Sequence, residues 1–302
     1  MITPRINTFS HHYRSIYGES IGKIPIDTGT LCPNREKGGC IFCRAASFTP
    51  NYLSKEDSLD NQIERGKKHI LKGRFKKYFA YFQQETCTAS PAEELLHAVR
   101  YLLNDANCVG LILSTRPDHV PDELLVPIAE QIRQAGKACL WELGLQTIHE
   151  QSLHLLNRNH SYTDFTDAIQ RIKIFPEFEV GAHLIFGIPG ESNAMMLESV
   201  QTTCNLGIDA LKLHHLQVIA DTELHRMYDE GNIRLFSLKQ YIDFLLLALP
   251  LIPENVVIHR LWATSHPNLL IAPKWNVLAA HLSNTLQEKM AERNIRQGQQ
   301  QD

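Results

Sequence analysis

The sequence predicts an α/β fold, a partial (β/α)6 TIM-type barrel with a C-terminal α+β extension. Apolar runs of strand length recur at intervals of roughly thirty residues, and helical apolar patterns lie between most of them. Polar or glycine-containing segments directly follow several of these runs. The six predicted strands are residues 23–27, 78–83, 109–114, 138–144, 180–187 and 210–218.

The predicted helices alternate with the strands. Residues 90–93, Ser-Pro-Ala-Glu, have the form of a capping box with proline at the first helical position, and a leucine-rich stripe follows them. The next helix covers residues 124–136 and is expected to be split in its first turn by Pro127. Two further helices cover residues 161–175 and 192–206. Repeated strand-then-helix units predict parallel strands, because a parallel neighbour needs a crossover connection.

Polar segments at the strand ends favour a barrel over a doubly wound sheet. A cysteine-bearing loop follows the first strand, and residues 83–87, 114–118 and 187–191 follow the second, third and fifth. Because barrel active sites lie at the carboxyl ends of the strands, these segments are expected to converge. A doubly wound dinucleotide-binding sheet would carry a glycine fingerprint after its first strand, and none is present there.

The strand–helix rhythm divides the chain into three parts. Residues 1–22 form an N-terminal extension, 23–220 the partial barrel, and 221–302 a C-terminal extension packed on the barrel. Within the extension we expect a helix at 238–249, an apolar strand at 255–259 and a final helix at 275–294. The polar tail that begins at Gln297 is expected to fray.

Composition limits the class of protein. The chain has 302 residues, of which 43% are apolar and 21% charged, and its formal charge of −3 gives no overall nucleic-acid signature. The longest apolar candidate, residues 244–251, is too short to cross a membrane, and the N-terminus lacks the apolar core of a signal peptide. We therefore expect a cytoplasmic protein without a membrane partner. In that reducing compartment, seven cysteines indicate metal or redox chemistry rather than disulfides.

Three cysteines form the most informative local feature. Cys32, Cys40 and Cys43 lie in one glycine-bearing loop directly after the first strand. Three thiolates can bind three irons of a cubane cluster and leave the fourth iron open, whereas a structural zinc site normally has four ligands. The alternative is a structural zinc site completed by His11, His12 or Cys87.

The ordered motifs resemble those of the radical S-adenosylmethionine (SAM) superfamily. The resemblance is closest to its YtqA/YhcC-type branch, which is related to the elongator catalytic subunit, and it covers about residues 7–275. The first gap between the cysteines is seven residues instead of the commonest three, which suits this branch. The motifs are the cysteine loop, Tyr81-Phe82-Gln83, Ser114-Thr115-Arg116-Pro117-Asp118, Glu142-Leu143-Gly144-Leu145-Gln146-Thr147, Gly187-Ile188-Pro189-Gly190-Glu191 and Leu211-Lys212-Leu213-His214.

The resemblance implies two cofactors. A 4Fe-4S cluster on Cys32, Cys40 and Cys43 would bind the amino and carboxylate groups of S-adenosyl-L-methionine at its open iron. Reductive cleavage of SAM would then give a 5′-deoxyadenosyl radical that abstracts hydrogen from the substrate. A reductant such as flavodoxin or ferredoxin is implied as the electron donor.

The resemblance also suggests residues that contact SAM. Gln84 and Glu85 stand where the superfamily contacts the methionine amino group, although the usual glycine pair is absent. Glu142 is expected to bind the ribose or the methionine end of SAM. Both acids are equally consistent with polar residues at strand ends.

Three more positions are assigned to SAM in the same way. Arg116 suits the SAM carboxylate, because a guanidinium offers two parallel donors, but it also suits an ion pair with Asp118. Gly187 and Gly190 would let the backbone lie along the adenine, or form an ordinary strand-to-helix turn.

The catalytic residue is not identified by the sequence. Cys87 is a candidate thiol relay or hydrogen donor near the barrel mouth, and His214 is a candidate substrate contact at the end of the last core strand. A buried small thiol and a hydrogen-bonded core histidine are the structural alternatives. The remaining cysteines, Cys108, Cys139 and Cys204, are expected to serve packing.

The predicted substrate is a tRNA wobble uridine, which relatives of this branch modify. A basic run supports RNA binding, although most such runs are solvated helix faces. Two alternatives remain open, a radical SAM enzyme that acts on a small metabolite or protein and a non-catalytic zinc-stabilised RNA-binding module. The basic run consists of Arg65, Lys67, Lys68, Lys72, Arg74, Lys76 and Lys77.

Overall fold

A computed structural model of the chain describes residues 4–54 and 56–300. Its main feature is a seven-stranded parallel sheet with the strand order β1-β2-β3-β4-β5-β6-β8, and a separate antiparallel pair joins β7 and β9. The parallel sheet curls into a half-barrel. The strands are β1 (Ile21–Ile26), β2 (Lys77–Phe82), β3 (Cys108–Thr115), β4 (Ala138–Gln146), β5 (Glu179–Phe186), β6 (Ala210–His215), β7 (Val218–Ile219), β8 (Val257–Arg260) and β9 (Leu270–Ala272).

Helices connect the parallel strands, as the strand–helix rhythm predicts. The helix α2 continues into a π-helical segment, Lys67–Leu71, before β2. The helices are α1 (Phe9–Tyr17), α2 (Leu59–Gly66), α3 (Ala92–Leu103), α4 (Asp122–Ala135), α5 (Glu150–Leu155), α6 (Tyr162–Ile172), α7 (Asn193–Asn205), α8 (Glu223–Asp229), α9 (Leu238–Ala248) and α10 (Ala279–Glu292).

The prediction of an α/β partial barrel is confirmed, and the sheet is one strand wider than the sequence predicts. The predicted strand at 255–259 is β8, which pairs in parallel with β6 and extends the same sheet. The C-terminal extension therefore contributes a barrel strand and does not only cover the barrel. The predicted strand at 210–218 is two strands, because the chain leaves the sheet after β6 and β7 pairs with β9 instead.

Two local predictions about helices are wrong. Ser90 does not cap α3, whose N-cap is Pro91; the Ser90 hydroxyl instead bonds to Thr28 and Thr30 in the loop after β1. Pro127 does not split α4, which is continuous around it. A proline removes only one backbone donor there, and the buried residues of α4 keep the helix packed against the sheet.

The C-terminal tail is ordered as far as residue 300, contrary to the prediction of fraying. The buried Gln297 accepts a hydrogen bond from the backbone N–H of Asn7 at 2.9 Å. Its amide nitrogen donates to the carbonyls of Pro253 and Val256, each at 2.7 Å. These contacts hold both ends of the chain to the segment before β8. Residues 301 and 302 lie outside the described part.

The amino end of the half-barrel is filled by apolar side chains. Phe9 and Tyr13 of α1 pack on Phe79 of β2, with ring centroids 5.8 and 4.7 Å away. Together with Ile112 and Leu140 they belong to one buried cluster. A larger core lies between the sheet and the surrounding helices. The interior of the half-barrel is therefore closed by α1 at one end.

The C-terminal extension packs against the last parallel strands through aromatic contacts. The ring centroid of His215, at the end of β6, lies 4.0 Å from that of Trp275 and 5.1 Å from that of Tyr241. The indole N–H of Trp275 donates to the carbonyl of Phe236 at 3.2 Å. Within the described ranges, no helix combines the length and apolar character that a bilayer span requires.

Candidate functional site

A cavity opens at the carboxyl ends of the strands, where the sequence predicts the polar segments to converge. It contains about 1250 Å³ of space free of protein atoms, part of it continuous with the open mouth. The cysteine loop, residues 31–43, contributes to its lining, and so do Arg260 and Thr264 of the C-terminal extension. We call this space the central cavity.

The cysteine loop brings its three thiols to one wall of the central cavity. Cys32, Cys40 and Cys43 all line it, and each is partly exposed. A short 3-10 turn, Pro33–Lys37, follows Cys32 and ends at Gly38, whose φ is 90°. Gly39 follows with a φ of 74°. Such angles favour glycine, so this pair lets the loop return towards the cavity.

Asparagine side chains fasten the cysteine loop to the connection after α5. The amide nitrogen of Asn157 donates to the carbonyls of Lys37 at 3.0 Å and Gly39 at 2.7 Å. Asn34 donates to the carbonyl of Asn157 at 2.8 Å and accepts from Asn159, also at 2.8 Å. Asn157 and Asn159 have φ values of 51° and 52°, which asparagine tolerates better than most residues.

The sulfur of Cys40 receives two hydrogen bonds from buried side chains. Asn34 Nδ2 and Arg158 Nη1 each lie 3.2 Å from Cys40 Sγ. Arg158 also donates from Nε to His160 Nε2 at 3.0 Å. Burial, followed by the charge of Arg158, lowers the pKa of His160 to about 3, so this ring is a neutral acceptor.

The positions of the three cysteines are compatible with a cubane cluster. In the part of the chain that the structure describes, no three His, Cys, Asp or Glu side chains are grouped closely enough to bind one metal ion. A cubane cluster does not require such a group, because its cysteines bind different irons. Of the proposed fourth zinc ligands, Cys87 is buried in the core and His11 lines a different pocket, with Arg5 and Glu254.

Glu85 lies at the cavity wall with its carboxylate already bound. Arg35 of the cysteine loop donates to it from Nε and Nη2, the latter at 2.6 Å, and the backbone N–H of Cys32 donates at 3.2 Å. Glu85 thus joins the end of β2 to the cysteine loop. The neighbouring Gln84 is buried and accepts from Thr49, and it is not among the residues that line the central cavity.

Arg116 is buried at the cavity and forms the ion pair with Asp118. Nε and Nη2 donate to the two carboxylate oxygens at 2.9 and 3.0 Å, and Nη2 also donates to the carbonyl of Arg158 at 2.7 Å. Nη1 has no hydrogen-bond partner although it is buried. The N–H donors of Nη1 therefore remain available to a polar ligand.

Glu142 forms a buried charged network at the floor of the half-barrel. Its Oε1 accepts from Tyr81 at 2.7 Å, from Lys212 at 2.9 Å and from Ser114 at 3.1 Å, and Lys212 also bonds to the Tyr81 hydroxyl. Burial alone would raise the pKa of Glu142, but Lys212 and then Lys23 outweigh it and lower that pKa. Burial in turn lowers the pKa of Lys212, and Glu142 opposes that shift.

The candidate catalytic residues occupy different environments. His214 lines the central cavity, its Nε2 has no partner, and its ring contacts that of His183 with centroids 4.1 Å apart. Burial is the main cause that lowers the pKa of both rings. Cys87 is fully buried in the core and does not line the cavity, and burial raises its pKa to about 12.

The two glycines assigned to adenine lie in the turn after β5. Gly187 and Gly190 have φ values of 87° and 89°. A Cβ on Gly187 would lie 3.0 Å from Phe236 of the C-terminal extension, whereas Gly190 has open space around it. Neither glycine is among the residues that line the central cavity.

The basic run lies away from the central cavity. It precedes β2 and ends at Lys77, the first residue of that strand, so it is at the amino end of the sheet. A six-residue strand separates it from the cavity level by roughly 20 Å. Arg65, Lys67 and Lys77 form ion pairs within the chain. The exposed members without a carboxylate partner in the described ranges are Lys68, Lys72, Arg74 and Lys76.

Sequence reasoning did not identify several residues of the site. The roles of Asn34, Arg158 and His183 have no motif that points to them. Lys212 lies in the motif Leu211-Lys212-Leu213-His214, but that motif does not indicate its ion pair with Glu142. One signal was available for the connection after α5. The pattern Asn157-Arg158-Asn159 places two residues that tolerate positive φ around an arginine, which is typical of a tight functional turn.

The central cavity fits a cluster and a polar ligand. Buried polar atoms without partners surround it, namely Thr86 Oγ1, Arg116 Nη1, Gln146 Oε1, His183 Nε2 and His214 Nε2. Unpaired buried polar atoms are costly unless a ligand or water completes them. The mixture of donors and acceptors beside three thiols suits a 4Fe-4S cluster with an amino-acid-bearing nucleoside such as SAM.

Family models match most of the chain. The model of the radical SAM superfamily matches residues 26–203, and the model of the radical SAM C-terminal domain matches residues 208–292. YtqA of Bacillus subtilis, an uncharacterized protein, is 30% identical over 305 residues, covering 97% of this chain and 92% of its own length. YhcC of Escherichia coli is 33% identical over 277 residues, covering 89% and 87%.

More distant similarities concern part of a longer protein or the fold alone. A tRNA uridine(34) acetyltransferase of Methanocaldococcus infernus is 31% identical over 157 residues, which are 51% of this chain and 28% of that protein. The solved Elp3 of the same archaeon superposes with a TM-score of 0.66 at 21% identity, covering 92% of this chain and 64% of that structure. The fold similarity agrees with the half-barrel described above.

Proposed function

The chain belongs to the radical SAM superfamily, and we propose that this radical SAM enzyme modifies the wobble uridine of tRNA. The family uses a 4Fe-4S cluster and S-adenosyl-L-methionine. When bound, these cofactors supply the reductive cleavage of a carbon–sulfur bond and the radical that takes a hydrogen atom from the substrate. The protein positions the reactants and excludes water.

We propose Cys32, Cys40 and Cys43 as the cluster ligands. The observation that supports this most directly is their common position on the wall of the central cavity, with no fourth cysteine among the residues that line it. A trio leaves one iron for SAM. The ion pair between Arg35 and Glu85 would fix the loop that carries them.

For SAM, the structure supports some of the predicted contacts more than others. Arg116 lines the central cavity and has a buried polar atom without a partner, Nη1. We propose that Arg116 contacts SAM or the substrate directly and that Glu85 acts from the cavity wall. Glu142, like Gln84, Gly187 and Gly190, would require an indirect role, because none of these four residues lines the cavity.

The substrate proposal is supported by a relative and by surface charge. About half of this chain matches 28% of an enzyme named for uridine 34 of tRNA. The unpaired basic residues Lys68, Lys72, Arg74 and Lys76 offer contacts to phosphates. Because they lie at the amino end of the sheet, they would bind a part of the tRNA remote from the reacting base. We also propose a cytoplasmic location and a flavodoxin or ferredoxin as reductant.

Anaerobic reconstitution tests the cluster ligands. The wild-type protein is expected to acquire iron and sulfide, to turn brown and to release 5′-deoxyadenosine from SAM with dithionite. Cys32→Ala, Cys40→Ala and Cys43→Ala are each expected to lose most of the iron and the activity, and Cys204→Ala, on the buried side of α7, serves as the control. A colourless wild-type protein with one zinc would contradict this function.

Binding and modification of tRNA test the substrate. Total tRNA from cells that lack the protein is titrated at low salt, and its wobble nucleosides are then compared by mass spectrometry before and after incubation with the reconstituted enzyme. In the double variant Lys72→Gln with Lys76→Gln, the slope of the logarithm of the binding constant against the logarithm of the salt concentration is expected to become shallower by roughly 1.5. Lys239→Gln with Lys289→Gln is the control. No affinity for tRNA at low salt would exclude this substrate.

A further inference from the structure

We propose that Arg158, together with Asn34, tunes the reduction potential of the cluster through hydrogen bonds to Cys40 Sγ. The inference rests on the proposed function, in which Cys40 is a cluster ligand. It assigns to Arg158 a role that no sequence motif indicates. Arg158 is a positioning residue here, because it acts on the cluster through the cysteine.

The guanidinium of Arg158 is fixed in three directions. Nη1 donates to Cys40 Sγ at 3.2 Å, Nη2 to the carbonyl of Gly144 at 2.7 Å, and Nε to His160 Nε2 at 3.0 Å. Only 7% of Arg158 is exposed. Because every nitrogen has a partner, the side chain is held in place before any cofactor binds.

Asn34 completes the environment of the same sulfur. Its Nδ2 lies 3.2 Å from Cys40 Sγ, and its Oδ1 accepts from Asn159 Nδ2 at 2.8 Å. The acceptor bond fixes the amide orientation, since the nitrogen must then point towards the sulfur. Asn34 is 3% exposed, so water does not compete for these bonds.

The three cysteines differ in the hydrogen bonds that side chains donate to their sulfurs. Among the residues that the structure describes, no side chain donates a hydrogen bond to the sulfur of Cys32 or Cys43. The effect is therefore concentrated on the iron bound by Cys40. A general requirement of the loop for hydrogen bonds would not produce this asymmetry.

The direction of the effect follows from electrostatics. One-electron reduction adds negative charge to the cluster and its thiolates, and hydrogen bonds to the sulfurs are among the factors that set its potential. Arg158 adds a positive charge in a buried place of low dielectric, where such interactions are strong. Both effects stabilise the reduced cluster, so they raise the reduction potential and make the electron easier to supply.

A redox titration followed by electron paramagnetic resonance, without SAM, tests this inference. Arg158→Met removes the charge and the donors at similar length, and its midpoint potential is expected to be more negative than that of the wild type. Arg158→Gln removes the charge but keeps an amide, and a smaller shift in the same direction is expected. Arg133→Met, which changes an exposed arginine paired with Glu177, is expected to leave the midpoint unchanged.

Resonance Raman spectra of the oxidised cluster provide a second readout. Loss of the N–H donors is expected to raise an iron–cysteine sulfur stretching frequency in Arg158→Met and not in Arg133→Met. A merely structural role would not move this frequency while the iron content stays the same.

The outcomes are decisive for Arg158. If Arg158→Met or Arg158→Gln keeps the wild-type iron and sulfide content with an unchanged midpoint and unchanged frequencies, the inference is wrong. If both variants fold but lose the cluster, Arg158 holds the loop and does not tune the potential, which also overturns the inference. Failure of the wild-type protein to acquire a cluster would instead contradict the proposed function.

Discussion

Glu142 on β4 and Lys212 on β6 form a buried ion pair, with Oε1 and Nζ 2.9 Å apart across the intervening strand β5. The strand between them places Gly181 beside Glu142 and His183 beside Lys212 in the sheet register. A Cβ on Gly181 would lie 3.3 Å from Ala210 and 3.4 Å from Leu140, so this position is tightly packed. The pair lies under the central cavity, where Lys212 also forms part of the lining.

Removal of the carboxylate charge is expected to destabilise the protein. Glu142→Gln leaves Lys212 and Lys23 buried without the charge that stabilises them, and breaking a buried ion pair from one side typically costs about 3–5 kcal/mol. The free energy of unfolding of the cofactor-free protein, measured with urea, checks this value.

The double variant Glu142→Gln with Lys212→Met is the matched control for the ion pair. It removes both charges, so it is expected to recover part of the loss. Equal stability of Glu142→Gln and wild type would show that the buried pair contributes nothing to the folded state.

The stabilising effect of Glu142 should depend on pH. The folded protein lowers the pKa of Glu142 from its usual value of 4.5, so its contribution is complete above that value and decreases as the pH falls towards the lowered pKa. The difference in unfolding free energy between wild type and Glu142→Gln is therefore expected to be constant from pH 7 to about pH 5 and to narrow below it. A difference that grows on acidification would contradict this assignment.

Asn157→Asp is expected to loosen the cysteine loop. Aspartate also tolerates the positive φ of this residue, but it lacks the two N–H donors and places a carboxylate against the carbonyls of Lys37 and Gly39. Hydrogen–deuterium exchange of residues 37–43 in the cofactor-free protein is expected to become at least about tenfold faster, since a lost pair of bonds is worth about 1–3 kcal/mol.

Asn276→Asp is the control for the loop variant. Asn276 has the same φ of 51° and is exposed, and its side chain forms no hydrogen bond among those described. Exchange in residues 37–43 is expected to be unchanged in this variant. If exchange in residues 37–43 is also unchanged in Asn157→Asp, the asparagine contacts do not hold the loop.

Gly110→Ala is expected to be the more damaging of two glycine substitutions in strands. A Cβ at Gly110 would overlap the backbone carbonyl oxygen of Ala138 on β4 and lie 2.7 Å from Phe79. Backbone atoms of a central sheet cannot move aside easily, so we expect a loss of about 3 kcal/mol in the free energy of unfolding.

Gly22→Ala provides the comparison. Its Cβ would lie 2.8 Å from the tip of Leu71, a flexible side chain that can rotate away. Its unfolding free energy is expected to stay within about 1 kcal/mol of the wild type. Similar losses in the two variants would mean that the approach of β3 and β4 at Gly110 is not a packing constraint.

The sequence allowed the barrel to be predicted because its signals are local. Strand runs, helical stripes and the glycines of the cysteine loop act within a few residues, so β1 to β6 and most helices appear within a few residues of their predicted bounds. The error at Ser90 arose because residues distant in the sequence compete for its hydrogen bonds. The hydroxyl of Ser90 bonds to threonines about sixty residues earlier in the chain instead of capping α3.

The sequence by itself determined the order of strands and helices and the grouping of three cysteines after the first strand. Only the tertiary structure decided which side chains meet in the half-barrel: Arg158 reaches the sulfur of Cys40 over 118 residues, and Lys212 reaches Glu142 over 70. Local patterns fix the conformation of a segment, whereas such contacts depend on strand order, register and sheet curvature together. The same dependence turned an apolar run after residue 254 into the seventh strand of the sheet.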